Sequence, residues 1–285
     1  MQKQAPISVI ILTYNEEMNI EICLQTVVGW AQDVYVVDSF SSDRTVQIAQ
    51  EYTTLVFQNK WVSFAKQREW AVNHLTLQTE WVFFQDADER MTEEMRKEIT
   101  HLLTQDSIRE NGFYIKRRFF FLNRWLKHGG YYPTPELRMM RCSQVRFVDE
   151  GGGARERFLV EENWGMLKSD MLHIYDKGIA EWITKHVQLA RLEAAENLID
   201  QQEDLQPQVI GHVGSVSWLR AKVWSRLPRS IRPILLFFYR YIFRLGFLDG
   251  LQGYYYCILH DLFYPLLVAV LYFEEKLKRE KKDRR

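Results

Sequence analysis

Cysteine, net charge and uninterrupted apolar runs are all scarce in this sequence, and each scarcity removes a class of function. The three cysteines, Cys23, Cys142 and Cys257, are far apart and never form a CxxC pair. That argues against a zinc site or a disulfide framework and fits a reducing compartment. Lys and Arg number 37 and so do Asp and Glu, so the whole-chain balance carries no electrostatic footprint for nucleic acid. The segment before Ile7 is short and polar; no signal peptide is expected ahead of the fold, and the catalytic part is expected to stay in the cytoplasm. A spanning helix needs roughly 20 apolar residues. The two best runs fall short of that, one being interrupted by Arg240 and Arg244 and the other, 262–273, being only twelve residues long.

What is present is an alternation of apolar runs and helix-like stretches. Strands are expected at 7–13, 34–38, 54–57 and 81–85, with helices at 18–28, 45–51 and 63–75 between them. Continuous apolar strands alternating with helices indicate a mostly parallel α/β sheet covered on both faces. Such sheets bind ligands beyond the carboxyl ends of their strands, where the polar clusters 13–17, 38–43 and 86–89 fall. Further strands are expected at 112–116, 137–141 and 145–148, then a helix over 179–202. The stretch 204–217 reads as a linker, which divides the chain into a catalytic domain, 1–205, and a C-terminal region, 206–285.

That C-terminal region has a different composition. Residues 218–248 contain seven Lys or Arg and no acid, set among Phe, Tyr, Trp and Leu. Basic plus aromatic reads as an amphipathic helical surface for anionic lipid; buried helices of a soluble subdomain and a re-entrant hairpin are the alternatives. On an ideal helix Arg232, Arg240 and Arg244 fall within about 120° of one another, so they are expected to face lipid phosphates together.

Asp86-Ala87-Asp88-Glu89 follows the apolar strand and carries the most chemistry. Alternation along an extended chain lets Asp86 and Asp88 face the same way. Two hard oxygen donors suit Mg²⁺ or Mn²⁺ when a diphosphate supplies further ligands; the alternative is an acidic turn capping a helix near Thr92.

The run from Ser8 to Glu17, the segments Val36-Val37-Asp38-Ser39 and Ser42-Asp43-Arg44-Thr45, and Asp86 to Glu89 together resemble the N-terminal signature of family 2 glycosyltransferases. Ala65-Lys66-Gln67-Arg68 resembles the helix before their DxD strand. His128 to Pro133, Arg138 to Arg141, and Leu245 to Gly250 are similar to bacterial envelope-polysaccharide and lipopolysaccharide-core members. The resemblance implies a GT-A fold and an inverting transfer from a nucleoside-diphosphate sugar, UDP-linked by expectation, to a glycan or lipid-linked acceptor at the cytoplasmic face of the inner membrane.

By that resemblance Thr13, Tyr14, Asn15 and Glu17 line the nucleotide pocket with Asp38, Arg68, Asp86 and Ala87, although Asp38 also suits a turn and Arg68 a helix-face ion pair. Asp88 is the principal metal ligand, with Asp86 and His173 beside it. Glu156 is the expected base, with Arg155 where similar enzymes often carry His; Asp149 and Glu150 stay open as alternatives. A sugar nucleotidyltransferase is a rival reading, but it would want a glycine-rich basic loop where Thr13-Tyr14-Asn15-Glu16-Glu17 stands. A catalytically silent, membrane-attached binding protein is the other rival.

Overall fold

A computed structural model describes residues 4–105, 107–149, 156–160, 163–199 and 227–283, the side chains of 145–160, 196, 199, 282 and 283 excepted. The chain divides into two compact units, Met1–Gly178 and Ile179–Arg285. The division expected at 205/206 lies outside the described residues.

The first unit begins with β1 (Ala5–Thr13), α1 (Ile20–Gln25), β2 (Ala31–Asp38), α2 (Thr45–Tyr52), β3 (Val56–Gln58), α3 (Phe64–His74) and β4 (Trp81–Asp86). Then come β5 (Glu89–Arg90), α4 (Glu93–Leu103), β6 (Gly112–Phe121), β7 (Arg124–Trp125) and β8 (Pro135–Arg141). It closes with β9 (Val145–Asp149), β10 (Glu156–Val160) and β11 (Trp164–Tyr175). Polar side chains set the helix starts: the hydroxyls of Ser63 and Thr92 accept from the amides of Lys66 and Met95, satisfying donors that the first turn leaves open.

The main sheet runs β3-β2-β1-β4-β8-β6-β11-β5, with β7 beside β6, while β9 and β10 form a separate antiparallel pair. The expectation of a mostly parallel sheet holds for β3, β2, β1 and β4 and needs correction beyond them. There β8 is antiparallel to both β4 and β6, and β11 is parallel to β6. Parallel neighbours need a long crossover, usually helical. The helices stop after α4, so β8 enters by an antiparallel return from β6.

Two apolar layers cover the sheet. Val9, Ile11, Phe83, Met95 and Ile99 belong to one, and Ile10, Val37, Ala71, Val82 and Phe84 to the other. Alternate residues of β1 therefore enter opposite layers, as the period of two requires, and β1 and β4 are buried on both faces.

The second unit contains α5 (Ile179–Ile199), α6 (Arg232–Phe238), α7 (Gly250–Tyr256) and α8 (Tyr264–Asp283). A π-turn, Tyr239–Phe243, extends α6, and another, Cys257–Phe263, joins α7 to α8. The apolar stretch thereby becomes longer than the sequence suggested: a 3-10 turn, α7, the π-turn and α8 follow one another over Gly246–Lys281, with Gly250 at φ 70° where the 3-10 turn meets α7, and the run is long and apolar enough, by length and composition, to cross a membrane. The lipid-facing arginine stripe needs correction. Arg240 pairs with buried Asp261 at 3.2 Å and Arg232 donates to the Leu227 carbonyl at 2.9 Å, which leaves Arg244 as the exposed member of the three.

Against α8, α5 buries Ala190, Ala194 and Leu198, which meet Val268 and Tyr272, and the Tyr264 hydroxyl donates to Glu193 at 2.6 Å. His186 stacks on Trp182 and meets Tyr264 edge-on, so the packing role expected for this helix fits what is seen. Burial pushes the His186 imidazole down to about 4, against the Trp182 carbonyl it contacts. An unfolded histidine titrates near 6.5. Between those values the unfolded chain binds more protons, so stability is complete above about pH 6.5 and declines towards pH 4. We expect amide-exchange protection of α5 and α8 to fall over that window, and His186→Phe to flatten the decline; an unchanged profile in the variant would assign the pH response elsewhere.

Candidate functional site

Three neighbouring parallel strands end together. Thr13 pairs with Asp38 across β1 and β2, and Leu12 with Asp86 across β1 and β4. The loops that leave β1 and β2 are tied by hydrogen bonds in both directions. The amides of Asn15, Glu16 and Glu17 donate to Ser41, Thr45 and Asp43 at 2.7 to 3.1 Å. In return the Ser42 amide donates to the Asn15 side-chain oxygen at 2.8 Å. Asn15 sits at φ 51°, a left-handed conformation that asparagine tolerates better than most side chains. Tyr14 projects into solvent.

Asp38 is fully buried. Its carboxylate accepts from the Thr13 hydroxyl at 3.0 Å, the Ser41 amide at 2.8 Å, the Ser41 hydroxyl, and the Gln58 amide at 3.2 Å. In this conformation Asp38 holds the loop together, the turn role that the sequence left open.

At the end of β4 the acids meet a set of arginines. Arg138, only 2% exposed, reaches Asp86 at 2.7 Å, Glu89 at 2.8 Å and Glu136 at 3.1 Å. Arg68 from α3 adds a second cation to Asp86 at 3.2 Å. Arg117 pairs with Glu89 at 3.1 Å and also with Glu136. Glu89 is fully buried and accepts from the Asp86 amide at 2.8 Å. Burial alone would raise the Asp86 carboxyl, but Arg138 and Arg68 outweigh it and hold the group well below the usual carboxylate range. Burial pushes Glu89 the other way, reinforced by the charge of Asp86 and opposed by Arg138.

Asp88, two residues after Asp86, has a different partner: its carboxylate is 3.2 Å from Nε2 of His173 on β11. Burial lowers the His173 imidazole, yet the charge of Asp88 and the contact with it outweigh that and raise the group. Nearby, burial and then Asp88 raise Glu16, whose partner is Lys177 at 2.6 Å.

The structure therefore joins Thr13, Asn15, Glu17 and Asp38 in one loop pair, Arg68 with Asp86, and Asp88 with His173. Ala87 is buried and offers its carbonyl to Arg90 at 2.8 Å. Glu156 opens β10 opposite Asp149, and the backbone of that hairpin lies against α3, which carries Arg68. The Glu156 and Asp149 side chains, Glu150 and 151–155 lie outside the described residues. Sequence reasoning assigned no role to Arg117, Arg138, Glu136 or Lys177. Arg138 did leave a signal, a charge between Leu137 and the apolar pair Met139 and Met140, since a buried charge in a strand must find a partner.

Among the described residues no group of three or more His, Cys, Asp or Glu is arranged to hold a metal ion. The donors present still suit a divalent cation bound partly by its substrate. Asp88 supplies a hard oxygen and His173 an imidazole nitrogen at contact distance, while diphosphate and water complete such sites. His173 would serve only as the neutral imidazole, giving up its proton. Asp86 is engaged instead by Arg68 and Arg138.

Residues 8–163 match the family model described as Glycosyl transferase family 2. The chain belongs to this family. Its GT-A-like α/β unit thus comes with a mixed sheet, and membership sets aside the nucleotidyltransferase reading. Among curated relatives, the lipopolysaccharide core biosynthesis glycosyltransferase LpsC of Rhizobium meliloti is 27% identical over 212 residues, which cover 70% of this chain and 74% of LpsC. An uncharacterised glycosyltransferase of Rickettsia bellii is 33% identical over 101 residues, 35% of this chain; the match spans about a third of that relative's length, 34%. Glucosyl-3-phosphoglycerate synthase from Mycobacterium tuberculosis, solved with Mn²⁺, UDP and glucosyl-3-phosphoglycerate, aligns with TM-score 0.44 and 14% identity, covering 73% of this chain and 83% of its own.

For this family 2 chain the arginine cluster generates a stability prediction. Arg138→Met would leave Asp86 and Glu89 short of their shared cation, and removing one partner of a buried ion pair costs about 3–5 kcal/mol. Urea denaturation should show a loss of that order. A loss below about 1 kcal/mol, the ordinary worth of an exposed pair, would remove Arg138 from its central place.

Proposed function

We propose that this family 2 enzyme transfers a sugar from a UDP-sugar, with inversion, to a glycan or lipid-linked acceptor in envelope polysaccharide or lipopolysaccharide-core synthesis, at the cytoplasmic face of the inner membrane. The observation that carries the reading is the meeting of the two laced loops with the Asp86 and Asp88 turn at the ends of adjacent parallel strands, where α/β sheets hold nucleotides. The likeness to LpsC supports the lipopolysaccharide-core assignment.

In this reading the β1 and β2 loops, with Tyr14, Asn15 and Glu17, receive the nucleotide. Thr13 and Asp38 fix the loop that does so, and Arg68 and Arg138 hold Asp86 ionised and in place beside it. Asp88 and neutral His173 would hold Mg²⁺ or Mn²⁺, whose charge would offset that of the departing diphosphate. Glu156 accepts the proton of the acceptor hydroxyl as that oxygen bonds to the anomeric carbon. The bond from that carbon to the diphosphate breaks on the opposite face, and UDP leaves with the electron pair.

Two variants test the assignments. Asp88→Ala is expected to abolish turnover and metal-dependent UDP binding while the melting temperature stays close to that of the parent; full activity would remove Asp88 from the metal site. Glu156→Gln is expected to keep donor binding and slow transfer by about 10²- to 10⁴-fold, the usual worth of a general base. UDP release measured with membrane extract as acceptor reads both. Normal turnover by Glu156→Gln beside a silent Asp149→Asn or Glu150→Gln would move the base to that residue.

A further inference from the structure

The second unit carries a connection of unusual chemistry. Turns between helices in water-facing domains are polar. Here the turn after α6 exposes Phe243, Leu245, Phe247, Leu248 and Leu251, with Phe243 at 76% and Leu251 at 68%. A stripe of Ile234, Leu235, Phe238 and Ile242 runs from it down the outer side of the α6 arm. Between 227 and 273 the chain has two acids, Asp249 and Asp261, and both are buried. Asp261 is neutralised by Arg240 at 3.2 Å and contacts His260 at 3.0 Å.

Four backbone amides of the turn also find acceptors within it or on the α6 arm. The amides of Arg244, Leu245, Leu248 and Gly250 donate to the carbonyls of Tyr239, Ile242, Leu245 and Phe247. Two glycines let the turn close this tightly onto α7: a Cβ on Gly253 would meet the Gly246 carbonyl oxygen at 2.5 Å, and one on Gly246 would meet the Arg240 carbonyl oxygen at 3.0 Å. Internal pairing of backbone and charge is the condition for placing polypeptide in hydrocarbon.

We propose that residues 232–263 form a re-entrant hairpin that enters one leaflet of an anionic bilayer with the Phe243 to Leu251 turn leading, a mode of attachment that rests on the membrane part of the function proposed above. The α6 arm fixes the depth. From Arg232 to Phe243 it rises about 17 Å at about 1.5 Å per residue, roughly half of a hydrocarbon core about 30 Å thick. The helix from Gly246 to Lys281 is long enough to span alone, but its pairing of Asp261 with Arg240 on the short arm ties it to that arm. Arg244 is the one exposed charge of the turn, and placing it there carries the cost of a charge in hydrocarbon, eased by its flexible stem.

The test uses the full chain reconstituted into vesicles of phosphatidylethanolamine and phosphatidylglycerol. Phe247→Cys, Leu251→Cys and, as the water-side reference, Lys281→Cys are each labelled with nitrobenzoxadiazole; the unsubstituted chain, with Cys23 and Cys257 buried, gives the labelling background. The expected result is a blue shift and loss of emission with brominated acyl chains at 247 and 251, and neither at 281. Vesicle flotation with the turn labels still water-exposed overturns the re-entrant hairpin and leaves membrane association standing. Failure to float, with a dimer by light scattering, overturns both and gives the apolar face to a second copy. Modification of Leu251→Cys by an impermeant thiol reagent trapped in the vesicle lumen also overturns it, because the helix then spans.

Discussion

The contact between Arg138 and the Asp86 and Glu89 carboxylates is the constraint on which the site depends. Glu89 is fully buried and Asp86 ends a strand buried along both faces. A carboxylate withdrawn from water holds its charge best with a cation at hydrogen-bond distance, and Arg138 offers one to both acids. Arg138 comes from β8, the strand that breaks the parallel order of the sheet. The change of topology is therefore what brings the counterion to the end of β4. Arg68 and Arg117 complete the set from α3 and β6.

That clamp divides the labour within the Asp86-Ala87-Asp88 run. Two arginines engage Asp86, while Asp88 contacts His173. Two carboxylates of the same type, two residues apart, thus acquire different chemistry from their neighbours alone. Beside them the β1 and β2 loops exchange hydrogen bonds through Asn15, Ser41, Ser42 and Asp43, so the two loops are fixed by one another.

The second unit follows the opposite physical logic. The first unit concentrates charge around a polar strand end, whereas the helical hairpin hides its two acids and turns apolar side chains outward. The arginine stripe read from helical periodicity gave way for the same reason. A buried Asp261 draws Arg240 inward, because an unpaired carboxylate inside a helical pair costs far more than an exposed guanidinium gains at a lipid surface.

Periodicity and local chemistry were enough to place β1, β2, β4, α2 and α3 within a few residues, and to put Thr13, Asp38 and Asp86 at strand ends. Those features depend on alternation over short windows and on polar residues that stop an apolar run. The pairing of Asp88 with His173, 85 residues apart, rested in the sequence only on resemblance. The antiparallel entry of β8, the acids that Arg138 would meet and the inward turn of Arg240 were not legible. Each is a partner choice between residues distant in the chain, decided by the need of a buried charge for the nearest opposite charge, and that distance exists only once the sheet and the helical pair have formed.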